Sequence, residues 1–111
     1  MRPQIWWRVA GLSGASSVGL AAYGAHGLKD LDVQFTKTFE NGNRMHMQHS
    51  ILLALCPLLK RPHTTGLLLL GGITIFSGSC YAAVFTRDRN NGRLAPYGGS
   101  MLILGWLSLV V

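Results

Sequence analysis

Long apolar runs alternate with short polar connections along the chain. Residues 9–28, 64–86 and 94–111 carry no formal charge over 20, 23 and 18 residues. A helix needs about 20 mostly apolar residues to cross a hydrocarbon core of ~30 Å. The pattern therefore predicts three membrane-spanning helices.

A fourth span is less obvious because its apolar run is shorter. Residues 45–59 are uncharged, but 15 helical residues cover only about 22 Å. The preceding residues 33–44 carry scattered apolar positions at Val33, Phe35 and Phe39. We therefore expect this helix to begin at or outside the membrane interface and then to enter the bilayer.

Together these runs predict an all-α membrane protein, a four-transmembrane-helix bundle with both termini on the same side. A single domain would occupy residues 1–111, with spans at roughly residues 5–28, 38–59, 63–86 and 94–111. The alternative is a soluble protein with a fully buried helical core. It is disfavoured because 111 residues offer too little polar surface to cover three such helices.

Composition and charge agree with a membrane setting. Only 13% of the residues are charged, against about 25% in soluble domains, and the net charge is +6. The basic residues lie outside the spans or at their ends, which predicts contact with anionic lipids such as cardiolipin. Nucleic acid is not expected as a partner, because no basic stripe is interleaved with aromatic residues.

The four-span arrangement sorts the basic residues onto two sides of the membrane. We call the side of the termini side A and the opposite side B. Side A carries Arg2, Arg8, Lys60 and Arg61, and side B carries Lys29, Lys37, Arg44, Arg87, Arg89 and Arg93. Basic loops favour the cytoplasmic or matrix side, but six against four leaves the orientation open.

Small residues recur at helical spacing and predict close helix packing. Gly11, Ala15 and Gly19 follow one another every four residues in the first span. The third and fourth spans offer Gly71, Gly78, Gly98, Gly99 and Gly105. Small residues let helix backbones approach closely in lipid, where packing drives association. We expect these surfaces to pack the four helices on each other, with a dedicated oligomer interface as the alternative.

Three of the four histidines are expected at side B. His26 ends the first span, whereas His46 and His49 begin the second span and share a helix face. Tyr23 and Arg44 complete this candidate polar cluster. Hydrogen bonding of the loops to the helix ends is the favoured interpretation.

The alternative interpretation of the cluster is a ligand site. Neutral imidazoles bind metals, ligate haem or relay protons in membranes. A zinc site usually needs a fourth ligand, such as a carboxylate, with a second shell of partners. The nearby acids lie in loops and the spacing matches no metal motif, so we assign no metal and no cofactor.

A catalytic constellation is not evident in the sequence. The serines lie within spans, where hydroxyls bond to carbonyls of their own helix, and no span holds a carboxylate pair. We expect a small non-enzymatic membrane protein, an accessory or assembly subunit of a larger inner-membrane complex of respiratory type. The alternative is a small histidine-based membrane protein that binds a cofactor, a quinone or a lipid.

Three segments also carry a family resemblance: "GLSGASSVGLAAYGAHGL", "HMQHSILLAL" and "LAPYGGSMLILGWLSL". In their order and spacing, residues 8–111 resemble the transmembrane protein 256 family, which is related to the bacterial domain of unknown function 423. The resemblance implies an integral membrane protein with several helices. The mitochondrial inner membrane is the first expectation and the bacterial inner membrane the alternative. No catalytic residue carries over from the family.

Overall fold

A computed structural model describes residues 2–28 and 31–111 of the chain. Its four α-helices are α1 (Ile5–Gly27), α2 (Val33–Leu55), α3 (Pro62–Thr86) and α4 (Ala95–Leu107). Short 3₁₀ helices follow α2 and α3, at Cys56–Leu58 and Arg89–Gly92. Because the described residues contain no β-strand, the all-helical prediction is confirmed. Lys29, assigned to side B above, and its neighbour Asp30 lie outside the described residues.

Prolines and one left-handed residue mark the helix boundaries. Pro62 and Pro96 occupy the first turns of α3 and α4, where the missing N–H of proline costs no helical hydrogen bond. Pro57 lies in the 3₁₀ helix that follows α2. At the end of α3, Arg87 adopts a left-handed conformation with φ of 54°. The connections that follow α2 and α3 are therefore short and locally defined.

The second and fourth helices differ in length from the predicted spans. α2 begins at Val33, in the segment 33–44 where its start was expected and five residues before the predicted span, and it ends four residues before residue 59. Its early turns are held by Phe39, which is 6% exposed, and it gives way to the 3₁₀ helix that contains Pro57. α4 ends at Leu107, and turns follow over residues 108–110. Because α2 begins as early as Val33, its two histidines lie well after the start of the helix.

The helices pack in chain order as an antiparallel series. α2 lies between α1 and α3, and α3 contacts both α2 and α4. At one end of the bundle, Trp6 Nε1 donates to His63 Nδ1 over 3.2 Å. At the same end, the hydroxyls of Thr65 and Ser108 are 2.6 Å apart. We call this the terminal end, because α1 begins and α4 finishes there.

The apolar core of the bundle lies toward the terminal end. Leu53, Cys56 and Leu69 are 0% exposed, and Trp6 and Leu102 are 2% exposed. At mid-height, buried polar side chains take over along α2 and α3. Every buried side-chain nitrogen or oxygen of the described residues has a hydrogen-bond partner. The bundle thus combines an apolar core near the terminal end with a polar middle section.

One described helix, α3, is long and apolar enough to cross a membrane by length and composition, with a mean hydropathy of 1.8. α2 carries Lys37, Glu40 and Arg44 in its first half, and α4 has only 13 residues. The glycines and serines of α1 lower its mean hydropathy. Only α3 therefore meets this criterion among residues 2–28 and 31–111.

Three of the predicted packing glycines lie where α3 meets α4. A Cβ added to Gly105 would be 2.8 Å from the Leu69 side chain, and one added to Gly98 would overlap the main chain of Phe76. A Cβ added to Gly71 would overlap the end of the Met101 side chain of α4. The close approach of these two helices therefore depends on absent side chains, as expected for helix packing in lipid.

Candidate functional site

A groove runs between α1 and α3, and α2 forms its floor. We call it the α1–α3 groove. Its volume is about 480 Å³. Its walls include Leu12, Leu20, Leu70 and Ile73, whereas Ser16, His46 and Tyr81 contribute polar groups. The groove exists because α1 and α3 both pack on α2 and make few contacts with each other.

His46 is the central polar side chain of the groove floor and is 7% exposed. Its Nδ1 atom is 2.9 Å from the Tyr81 hydroxyl, and its Nε2 atom is 3.4 Å from Ser16 Oγ. Asn43 Nδ2 donates to the same Tyr81 oxygen over 3.2 Å and to the Ser17 carbonyl over 2.8 Å. One network therefore connects all three helices that build the groove.

The hydrogen-bond directions in this network indicate which His46 nitrogen carries the proton. Because the Tyr81 oxygen accepts from Asn43, its own hydrogen is free to donate to Nδ1 of His46. The Ser16 hydroxyl donates to the Ser13 carbonyl over 2.8 Å, so it can accept from Nε2. We assign the neutral imidazole with its hydrogen on Nε2. On the groove side this hydrogen faces Ser16 Oγ at 3.4 Å and the Ser13 carbonyl.

Two serine hydroxyls form a second chain of hydrogen bonds, which ends on the main-chain carbonyl of His46. Ser50 donates to the His46 carbonyl over 2.7 Å, and the Ser13 hydroxyl lies 2.6 Å from Ser50 Oγ. Gly14 lies at this contact, where an added Cβ would be 4.0 Å from Ser50 Cβ, an ordinary van der Waals distance. Small side chains and hydroxyls thus hold α1 against α2 at the level of the groove.

His49 has both ring nitrogens bonded within the bundle. Trp106 Nε1 donates to His49 Nε2 over 3.0 Å, so the proton of this imidazole is on Nδ1. That nitrogen lies 2.7 Å from the carbonyl of Met45 and donates to it. His49 is 3% exposed and joins α2 to α4. Its arrangement is that of a structural hydrogen-bonding residue.

The structure does not bring the three predicted histidines together. His26 is exposed at the end of α1, ten residues beyond Ser16, which is roughly 15 Å of helix rise. His46 lies at mid-height, and His49 is nearer to the terminal end, opposite Trp106. The expected cluster of three imidazoles at side B is therefore corrected, because α2 begins at Val33 and carries its histidines deeper into the bundle.

The other two residues of the predicted cluster lie apart from the groove. Tyr23 is 52% exposed, and its ring centroid is 5.8 Å from that of Phe85. The exposed Arg44 donates to Asn41 Oδ1 over 2.6 Å. Within the described residues no group of three His, Cys, Asp or Glu side chains could hold a metal ion.

The small-residue row of α1 faces outward. Gly11, Ala15 and Gly19 are all exposed, and a Cβ on either glycine would meet nothing within 4 Å. Gly78 of α3 is equally open and lines the groove. The expectation that these positions pack the four helices on each other is corrected here. On α1 the neighbouring row with Gly14 and the buried Ser17 contacts α2 instead.

Sequence reasoning missed three side-chain pairs that hold the helices in register. They join Trp6 to His63, Trp106 to His49 and Tyr81 to His46, across 57, 57 and 35 residues of chain. Each pair combines an aromatic donor with an imidazole on a neighbouring or facing helix. The sequence signal for these pairs is the matching position of aromatic residues and histidines when the helices are aligned antiparallel.

Replacing Tyr81 with phenylalanine is expected to reduce the free energy of unfolding by about 2 kcal/mol, because His46 Nδ1 and one Asn43 N–H lose their partner in a buried site. The measurement is unfolding in mild detergent by added sodium dodecyl sulfate, followed by circular dichroism. Tyr97→Phe is the control, since Tyr97 is 67% exposed, and it should change stability by less than about 0.5 kcal/mol. Equal effects of both variants would contradict the network.

Known proteins are similar to this chain over most of its length. A sequence model of the family described as "Protein of unknown function (DUF423)" matches residues 20–99. The chain is 36% identical over 106 residues to a UPF0382 membrane protein of Staphylococcus epidermidis, covering 90% of this chain and 87% of that protein. A UPF0382 membrane protein of Schizosaccharomyces pombe is 34% identical over 115 residues, covering 95% and 98%.

A bacterial relative from a different genus is similar to the same extent. The UPF0382 membrane protein YwdK of Bacillus subtilis is 33% identical over 103 residues, covering 86% of this chain and 84% of the relative. No solved structure matches the chain at a significant level.

Proposed function

The chain belongs to the DUF423 family and is an integral membrane protein, and from this premise we propose that it is a non-enzymatic accessory or assembly subunit of a larger inner-membrane complex of respiratory type. The proposed role needs no reaction. It needs a stable bundle in the bilayer and a surface on which a helix of a partner protein can pack.

We propose that all four helices cross the membrane, with both termini on one side. The antiparallel order and the shared position of the α1 start and the α4 end support this topology. Exposed apolar side chains on every helix suit contact with lipid tails; they include Leu12, Ile51, Leu67 and Ile103 at 76%, 59%, 58% and 60% exposure. α4 with its following turns would complete the fourth crossing.

The observation that carries the subunit proposal is the outward row of small residues on α1. Gly11, Ala15 and Gly19 leave a shallow strip along the helix that no part of the bundle fills. Large apolar side chains border the strip at Leu12 and Val18, which are 76% and 58% exposed. A transmembrane helix can approach such a strip closely, and the contact is driven by packing.

The proposed partners include anionic lipids such as cardiolipin. Arg2, Arg8, Lys60 and Arg61 are exposed and lie at or near the terminal end, beside the start of α1 and the start of α3. Anionic head groups attract such juxtamembrane cations by about 1 kcal/mol for each charge. The proposed location is an energy-converting inner membrane, in the mitochondrion as the first expectation and in a bacterium as the alternative.

Replacing Gly19 with leucine is expected to release the protein from its partner complex without unfolding it, because the new side chain fills the strip and its Cβ has no atom of the bundle within 4 Å. The measurement is native gel separation of membranes solubilised in mild detergent, with the protein detected by an epitope tag. Wild type should co-migrate with a large complex, and Gly19→Leu should shift most of the protein to low mass.

Gly78→Leu is the matched control for this experiment. It adds the same side chain at an equally open glycine, but on the groove side of α3. It should co-migrate like the wild type. Migration of the wild type as a free monomer in several mild detergents would refute the subunit proposal, as would equal release by the two variants.

A further inference from the structure

We propose that the α1–α3 groove binds a neutral lipid-soluble quinone, with the Nε2–H of His46 donating a hydrogen bond to one quinone carbonyl. This inference rests on the proposed membrane placement but not on the proposed partner complex. It assigns a binding site to a surface of the bundle that helix packing leaves open.

The shape and lining of the groove suit a small ring with an apolar tail. A volume of about 480 Å³ falls within the range of ligand pockets, which is roughly 300–1,000 Å³. Leucine and isoleucine side chains from α1 and α3 form its walls, and Leu12 among them is 76% exposed. A few polar groups on an apolar wall are the usual composition of such sites.

The hydrogen-bond donor is His46, because of the direction of the network behind it. Tyr81 donates to Nδ1, so the imidazole hydrogen is on Nε2, where Ser16 Oγ lies at 3.4 Å and the Ser13 carbonyl is a second acceptor. The Ser16 contact is longer than a strong hydrogen bond, whose heavy atoms are usually about 2.9 Å apart. A ligand carbonyl in the groove would therefore compete with these two protein oxygens for the hydrogen.

The depth of His46 distinguishes a quinone from a glycerolipid. His46 is 13 residues from the start of α2 and 9 residues from its end, or roughly 20 and 14 Å of helix rise. In a core of ~30 Å this places the donor inside the hydrocarbon region, half a turn beyond Arg44, whose long side chain extends back toward Asn41 and the head groups. The ester carbonyls of phospholipids stay at the interface beside their head groups, whereas an uncharged quinone ring can enter the hydrocarbon region.

The test is saturable binding of a radiolabelled ubiquinone with a short isoprenoid tail to the protein in phosphatidylcholine nanodiscs. Wild type should bind one quinone per chain. His46→Ala should weaken binding about tenfold through loss of the donor. Gly78→Leu should weaken it at least tenfold, because the side chain occupies an open part of the groove. Gly19→Leu should bind within about twofold of wild type.

A second readout follows the imidazole itself. In protein with ¹⁵N-labelled histidine, the Nε2 resonance of His46 should move when the quinone is added and stay in place when squalene, which has no carbonyl, is added. Absence of saturable binding by the wild type, or equal binding by Gly78→Leu, would overturn the proposal. Displacement of the quinone by an equal concentration of diacylglycerol would also overturn it in favour of a glycerolipid. Release of Gly19→Leu from the complex is a separate result, so either proposal can fail alone.

Discussion

Replacing Gly98 with alanine is expected to reduce the free energy of unfolding by about 3 kcal/mol, because the added methyl group has no space. It would overlap the main-chain nitrogen of Phe76 and lie 2.8 Å from the Phe76 Cα atom and 2.9 Å from the Gly72 carbonyl oxygen. These are backbone atoms, so no rotation of a side chain relieves the contact. The two helices must move apart, and their packing along the whole interface is lost.

The neighbouring glycine is the matched control for this prediction. A Cβ on Gly99 would lie 3.7 and 3.9 Å from two atoms of the Phe76 ring, which is ordinary van der Waals contact. Gly99→Ala should therefore keep the gain in helix propensity of about 1 kcal/mol or less. Unfolding by sodium dodecyl sulfate, followed by circular dichroism, measures both variants. A loss of stability that is the same at the two positions would show that the α3–α4 contact is not as close as described.

Replacing Trp6 with alanine is expected to cost about 3–4 kcal/mol of unfolding free energy. Trp6 is 2% exposed, its ring fills the space over Gly66, and its Nε1 donates to His63. In a lipid setting the loss comes mainly from the cavity and the missing contacts, since lipid tails are as apolar as the core. The measurement is the same unfolding titration, with the near-ultraviolet signal of the remaining tryptophans as a second probe.

The adjacent tryptophan separates burial from residue type. Trp7 is 51% exposed and donates to the Ala54 carbonyl over 2.9 Å. Trp7→Ala should cost only about 1 kcal/mol, close to the net value of one hydrogen bond. If Trp7→Ala were as damaging as Trp6→Ala, the terminal end of the bundle would not be organised around the buried ring.

The two proposed surfaces lie on different faces of α1. Ser16 and Leu20 line the groove, whereas Gly11, Ala15 and Gly19 form the outward strip. The two surfaces adjoin at Leu12, which is a wall of the groove and a border of the strip, so a partner helix on the strip would lie beside the mouth of the groove. This separation is why Gly19→Leu and Gly78→Leu can serve as controls for each other.

The helical class and the approximate position of each helix followed from local pattern. Long uncharged runs predict helices in a membrane, and Pro57, Pro62 and Pro96 mark helix ends whatever the helices pack against. The start of α2 was expected within residues 33–44, ahead of the predicted span, and the helix begins at Val33. The scattered apolar positions there include Phe39, which is buried.

The predicted histidine site was only partly informative. Residue type and spacing singled out His46 and His49, but helical spacing alone puts both on a similar face. Their different environments come from α3, which supplies Tyr81, and from α4, which supplies Trp106. Neither contact can be deduced from residues within one turn of the histidines.

The sequence by itself determined that this chain forms apolar helices that are rich in small residues. Prolines mark their ends, and basic residues lie in the connections between them. Only the tertiary structure decided that Gly98 is crowded and Gly19 free, and that His46 faces a groove while His49 is fully bonded. The physical reason is that hydropathy and helix breaking act within a few residues of chain. The rotation and register of one helix against another are decided by contacts between residues 35 to 57 positions apart.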